Sequence, residues 1–184
     1  MQTLGLSDST PRTEGRLKSL FWPSIQTSSD VDYLGAQGYW VCTIVGLLTC
    51  ILSAFTGHPI AGAVFFVFFY VGGVGVRERS RYAAAVVLLM YIADAVVGGH
   101  SVVKILIAAV LFSNLRATWI ASSWKPDSDA AILPPRFGDT WSDKFADKLP
   151  PFLWPKIRVL YYVFSVALLV VTVAGIVMIL RHRV

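Results

Sequence analysis

The sequence predicts an all-α integral membrane protein: a polytopic helical bundle of about five transmembrane helices with one amphipathic interfacial helix. Three observations predict it. Hydrophobic residues make up 55% of the chain and charged residues only 15%, and the mean hydropathy of +0.63 is one a soluble domain rarely reaches. Apolar runs recur along the chain, separated by turns rich in Gly, Pro and Ser. The basic residues behind the net charge of +5 flank those runs, which marks them as topology determinants and contacts for anionic lipid headgroups. A nucleic-acid partner is excluded on the same ground, because it calls for basic residues clustered with stacking aromatics on a soluble face. With most of 184 residues in lipid, little chain is left for a separate catalytic domain.

Residues 1–38 read as a polar, largely disordered N-terminal segment with Arg12, Glu14, Arg16 and Lys18. No apolar h-region follows the start, so a cleavable signal peptide is not expected. The patch Ser19-Leu20-Phe21-Trp22-Pro23 is suited to the interface. A first span is expected over 39–55, stopped by Thr56-Gly57-His58-Pro59. Its Cys42, Gly46 and Cys50 recur every four residues, a small-residue stripe that lets helices approach closely in lipid. The two cysteines lie about 12 Å apart on a helix, too far to bridge. They leave the redox compartment open.

The second span, 60–76, is bulky in its middle and small at its end, with Gly72, Gly73 and Gly75. These glycines read as close helix packing rather than a phosphate cradle, because the fingerprint spacing is incomplete and an apolar helix precedes them. A basic turn (Arg77, Arg79, Arg81) leads into spans over 82–97 and 102–118, joined by Gly98-Gly99-His100-Ser101. The four spans form a core over 39–118. Each is only about 17 residues, roughly 25 Å of helix, at the short end for a bilayer.

From 119 to 158 the composition turns polar. Pro126, Pro134 and Pro135 interrupt helix, and Thr140 to Asp143 reads as a capped helix start. Over 140–149, Trp141, Phe145 and Leu149 share one face while Asp143, Lys144, Asp147 and Lys148 face away, a pattern for a helix on the membrane surface that Pro150-Pro151 ends. The fifth helix, within 159–184, is bracketed by Lys156 and Arg158 on one side and Arg181 and Arg183 on the other.

Orientation follows from the basic residues. An N-terminus inside places three Lys and Arg in 1–38, three in the 77–81 turn and seven from Arg116 to Arg158 in the cytoplasm, thirteen of sixteen. The positive-inside rule therefore predicts a cytoplasmic N-terminus and an integral membrane location, the inner membrane in a bacterium. Only the C-terminal Arg181-His182-Arg183 pulls the other way.

This topology gathers His58, His100, His182, Asp94 and Lys104 near the outer face. Asp94 is the only acid inside an apolar run, and an intramembrane carboxylate is a candidate proton or ion site, with His100 and Lys104 beside it. The plainer reading pairs Asp94 with Lys104 across the turn, or with the Tyr91 hydroxyl one turn earlier. No tight ligand spacing accompanies the histidines, so no metal and no cofactor is expected. Ser101-Val102-Val103-Lys104 matches the Ser-x-x-Lys arrangement of serine acyl-enzymes, but the companion motifs and any oxyanion loop are lacking. No catalytic residue is assigned.

Two function classes remain. One is a non-enzymatic membrane module, a structural or accessory subunit that packs with a partner membrane protein or as a homo-oligomer. The other is a small oligomeric transporter or channel that uses Asp94 with Thr43, Thr49, Ser53 and Asn114, and a membrane-embedded enzyme stands behind both. Transport paths usually carry several intramembrane charges or broken helices, and here there is one charge, no proline inside a span and no inverted repeat. The module is the expected function.

Overall fold

Glycine, proline and serine write the helix ends in this chain. The computed structural model describes residues 21–25, 28–97, 99, 101–123 and 141–182. Among these residues five helices, α1 (Ser28–Phe55), α2 (Pro59–Arg77), α3 (Arg81–Val97), α4 (Val102–Ala121) and α5 (Trp141–His182), follow in order. The described residues contain no strand. Among the described residues, four helices are long and apolar enough to cross a membrane, over Asp30–Phe55, Pro59–Arg77, Val102–Ala121 and Phe145–Met178. α3, with 17 residues, is shorter.

α1 closes where Gly57 takes φ +83°, a left-handed conformation that favours glycine, and the His58 amide returns to the Ser53 carbonyl at 2.8 Å. Pro59 then opens α2, where its missing N–H costs nothing. α2 ends with the Ser80 amide on the Gly75 carbonyl at 2.9 Å, which puts Arg79 at φ 58°. The Ser80 hydroxyl then caps α3 by accepting from the Ala83 amide at 3.3 Å. Gly99, at φ +83°, turns the chain again. Ser101 caps α4 by accepting from the Lys104 amide at 3.2 Å. That contact accounts for the Ser101 and Lys104 spacing as a cap.

α1 and α2 run antiparallel along the small-residue stripe. A methyl group on Gly73 would sit 2.9 Å from the Cys42 Cβ, one on Gly46 3.1 Å from the Phe69 Cβ, and one on Gly62 2.9 Å from the Cys50 carbonyl. Cys42, Gly46 and Cys50 therefore lie at the α1–α2 contact, where backbone meets backbone. α3 packs on α2 and α4, and α4 returns to α1, so four helices form a ring with α5 outside it against α2 and α3. The α5 contact uses the other two glycines: a Cβ on Gly72 would lie 2.6 Å from the Tyr161 Oη, and one on Gly75 2.5 Å from the Trp154 ring.

Three expectations are corrected. Helix begins at Ser28 rather than near Tyr39, so part of the segment read as disordered is ordered, with Val31 and Leu34 buried. Pro150-Pro151 does not end a surface helix, and no second helix starts near Val159. α5 is one helix of 42 residues with Pro150, Pro151 and Pro155 inside it, roughly 63 Å long. A proline frees the carbonyl four residues back, and such a helix persists where a neighbour satisfies that group. Here Arg77 Nε donates to the Ala146 carbonyl at 3.4 Å. Third, Asp147, read as facing away with the charged residues, is buried because Arg77 neutralises it. The interrupting prolines 126, 134 and 135 and the Thr140 cap lie outside the described residues, as do residues 1–20.

Candidate functional site

Two constellations stand at opposite ends of the bundle. At one end the last residue of α2, Arg77, is 4% exposed and collects three partners. Its Nη1 donates to the Asp32 carbonyl of α1 at 2.8 Å, its Nη2 pairs with the Asp147 carboxylate of α5, and its Nε takes the Ala146 carbonyl. Arg79 completes the node, with Nη2 on Asp32 Oδ1 at 2.6 Å. A guanidinium suits the position because its planar fork serves several acceptors at fixed angles, which a lysine cannot do. Each acceptor belongs to a helix that must be held: α1 by its first turns, α5 by the carbonyl its own proline released. The arrangement is a lock: the Arg77 and Asp147 side chains are buried, and Asp32 and Arg79 stand half-buried at its edge.

Aromatic contacts extend the lock along α5. Tyr162 meets Tyr82 with ring centroids 4.6 Å apart, and the Tyr82 hydroxyl lies 3.2 Å from the Ser165 hydroxyl. On the far side of the ring, Arg116 of α4 holds the segment 21–25, with its guanidinium 4.6 Å from the Trp22 ring and a hydrogen bond to the Pro23 carbonyl at 3.0 Å. Of the patch Ser19-Leu20-Phe21-Trp22-Pro23, Trp22 and Pro23 are thus seated against α4, while Ser19 and Leu20 lie outside the described residues.

At the other end Lys104 Nζ lies 3.0 Å from Asp94 Oδ2, with the carboxylate side chain 64% exposed and the lysine 26%. The ammonium also reaches the Asp94 carbonyl at 3.5 Å. The pair stands at the rim of an open cavity of about 460 Å³ lined by residues of all four helices of the ring. Phe65 and Phe69 of α2 and Met90 of α3 line it, Tyr91 and Ile107 contribute from α3 and α4, and Thr49 and Ser53 bring hydroxyls from α1.

No family model, curated protein or solved structure matches this chain.

The remaining residues singled out by sequence fall as follows. Gly98 and His100 lie outside the described residues, and so do the side chains of Trp141 and His182. His58 is exposed in its turn. Among the described residues no three His, Cys, Asp or Glu side chains gather closely enough to hold a metal ion. Phe145 is exposed and Leu149 half-buried, while Ala146, Asp147 and Pro150 form the buried line of that helix. The polar residues considered for a path turn back on their own helices: Thr43 Oγ1 donates to the Tyr39 carbonyl, Thr49 Oγ1 to Val45 and Asn114 Nδ2 to Val110, each at 2.8 Å. Asn114 sits against Gly38, whereas Thr49 and Ser53 belong to the cavity, so these groups do not line one continuous route.

Sequence reasoning placed no weight on Arg77 beyond its charge. A signal was present, since Arg77 ends an apolar span and two acids, Asp32 and Asp147, stand near the ends of two others. Nothing local says that the three meet.

Proposed function

We propose that this chain is a non-enzymatic integral membrane module with five crossings and a cytoplasmic N-terminus, a structural or accessory subunit that packs with a partner membrane protein or with itself. The observation that carries the reading is the state of Asp94. A transport carboxylate works from inside a conduit, unpaired or paired within the protein interior. Asp94 is instead exposed and held by Lys104. Among the described residues, the buried Arg77–Asp147 pair closes on itself and, with Asp32 and Arg79 beside it, ties helices together.

The orientation rests on the positive-inside rule, and a geometric point supports the alternation of the crossings. Asp32, Arg77, Arg79 and Asp147 share one end of the bundle, as five alternating crossings require. Exposed Lys156 and Arg158 on α5 lie on the same side by this reading and meet anionic headgroups. Beyond the Ser165 contact, α5 offers exposed Val170, Val171, Val173 and Val177 to lipid or to a partner helix.

Purification of the full chain in mild detergent tests the reading. A stoichiometric membrane-protein partner or a defined homo-oligomer is the expected outcome. A monomer that conducts ions in liposomes, with conduction abolished in Asp94→Asn, would move the assignment to a transporter or channel. Turnover of any added substrate by the pure chain would move it to an enzyme.

A further inference from the structure

The cavity at the Asp94 end has the composition of a binding site for one amphiphile. Its volume of about 460 Å³ is within the range of small-molecule sites. Its walls are apolar apart from the hydroxyls of Thr49, Ser53 and Tyr91, and both formal charges stand together at the rim. Lining residues Leu48 and Leu52 of α1 and Val103 of α4 are exposed, so the cavity opens to the surface between α1 and α4. From Val45 to Ser53 it runs along α1 for roughly 12 Å. That depth takes part of an acyl chain and lets the remainder leave through the side.

We propose that this cavity binds an aminophospholipid, with part of one acyl chain inside the four-helix ring and the zwitterionic head on the Asp94–Lys104 pair, its ammonium toward Asp94 and its phosphate toward Lys104. The rim selects that head by charge balance. The pair is neutral overall, so a singly anionic head gains Lys104 and is repelled by Asp94. A zwitterion satisfies both. Asp94 further prefers a primary ammonium, which donates hydrogen bonds to a carboxylate, over a quaternary one, which has no N–H to give. The inference rests on the membrane reading above, because that reading puts the rim at headgroup level.

Native mass spectrometry of the full chain tests it, using micelles doped with equal amounts of dioleoyl phosphatidylethanolamine, phosphatidylcholine and phosphatidylglycerol. The expected result is one retained lipid, with phosphatidylethanolamine favoured by roughly three- to fivefold, the discrimination an exposed charged contact supplies. Ile107→Trp, which fills the cavity, should remove it, and Val103→Trp at the opening is the second filling variant should the first fail to fold. Asp94→Asn leaves a net positive rim and should turn the preference to phosphatidylglycerol. Wild type that retains no lipid, retention unchanged in both filled variants, or an unchanged order in Asp94→Asn would overturn the site. A chain that does not stay with vesicles after an alkaline carbonate wash overturns the membrane reading itself. A vesicle-bound chain without lipid selectivity overturns only the cavity proposal.

Discussion

Replacing Arg77 with Met should destabilise the bundle more than any other single charge removal, and the geometry sets the amount. The methionine keeps the stem but removes all three donors. Asp147, 8% exposed, is left as a buried carboxylate, and the Ala146 carbonyl loses the donor that replaced its helical partner. Breaking a buried pair from one side costs about 3 to 5 kcal/mol, and an orphaned carbonyl about 1 to 3, with overlap because both losses relax together. A net loss of about 4 kcal/mol is expected, a fall of roughly 8 to 16 °C in the detergent melting temperature for a chain of this size. Arg158→Met removes an exposed charge and should move the midpoint by under about 2 °C. The decisive comparison adds Asp147→Leu. If the two charges sustain each other, the double variant Arg77→Met with Asp147→Leu recovers much of the loss, since an apolar pair of similar volume replaces a desolvated ion pair at little net cost. Additive losses, or an Arg77→Met midpoint no lower than that of Arg158→Met, would refute the node.

Three other outcomes follow from the packing and the charges. Gly75→Ala should cost about 1 to 3 kcal/mol by forcing the Trp154 ring and the Ala83 methyl apart, whereas Gly175→Ala, with nothing within 4 Å of its new methyl, should be neutral or gain up to about 1 kcal/mol; equal thermal shifts would count against the α2–α5 contact. In a variant lacking Cys42 and Cys50, Ser123→Cys should resist an impermeant thiol reagent in intact cells while Thr56→Cys reacts, and the reverse pattern would invert the orientation. Asp94→Asn and Lys104→Met, which break an exposed pair, should each lower the melting temperature by no more than about 4 °C, with little more in the double variant; a stable Asp94→Asn beside a strongly destabilised Lys104→Met would show that Lys104 has another partner.

The helical class and the apolar runs were legible because they are local. Hydropathy over a window and the turn chemistry of Gly57-His58-Pro59 or Gly99 with Ser101 depend on neighbours in sequence, and the helix breaks fall there. What escaped was set by distant residues. The proline rule reads Pro150-Pro151 as a stop because, locally, the freed Ala146 carbonyl has no donor. Its donor, Arg77, lies 69 positions earlier. The same guanidinium overturned the face assigned to Asp147, since helical periodicity sorts charged side chains toward water and has no way to register a buried counter-charge. The early start of α1 has the same origin: Asp32 looks like part of a polar tail until Arg77 and Arg79 are placed beside it. The cavity left no trace in sequence, because its lining comes from four helices whose contributions are ordinary apolar residues.

Charge is handled in opposite ways at the two ends of the bundle, and this sets what each end can do. Around Arg77 the Arg77–Asp147 pair is desolvated, so opening that end means exposing or orphaning several groups at once. It holds α1, α2 and α5 as one unit. Around Asp94 the pair is wet, and its separation costs at most about 1 kcal/mol. The rim can therefore part for a head group and close again while the helix ends at Arg77 stay in place. Local openings concentrate where stability is lowest, and the exposed Asp94–Lys104 pair adds little to hold the neighbouring ends of α3 and α4 together. A bundle anchored at one end and loosely joined at the other can admit an acyl chain sideways between α1 and α4 without dissolving its own core.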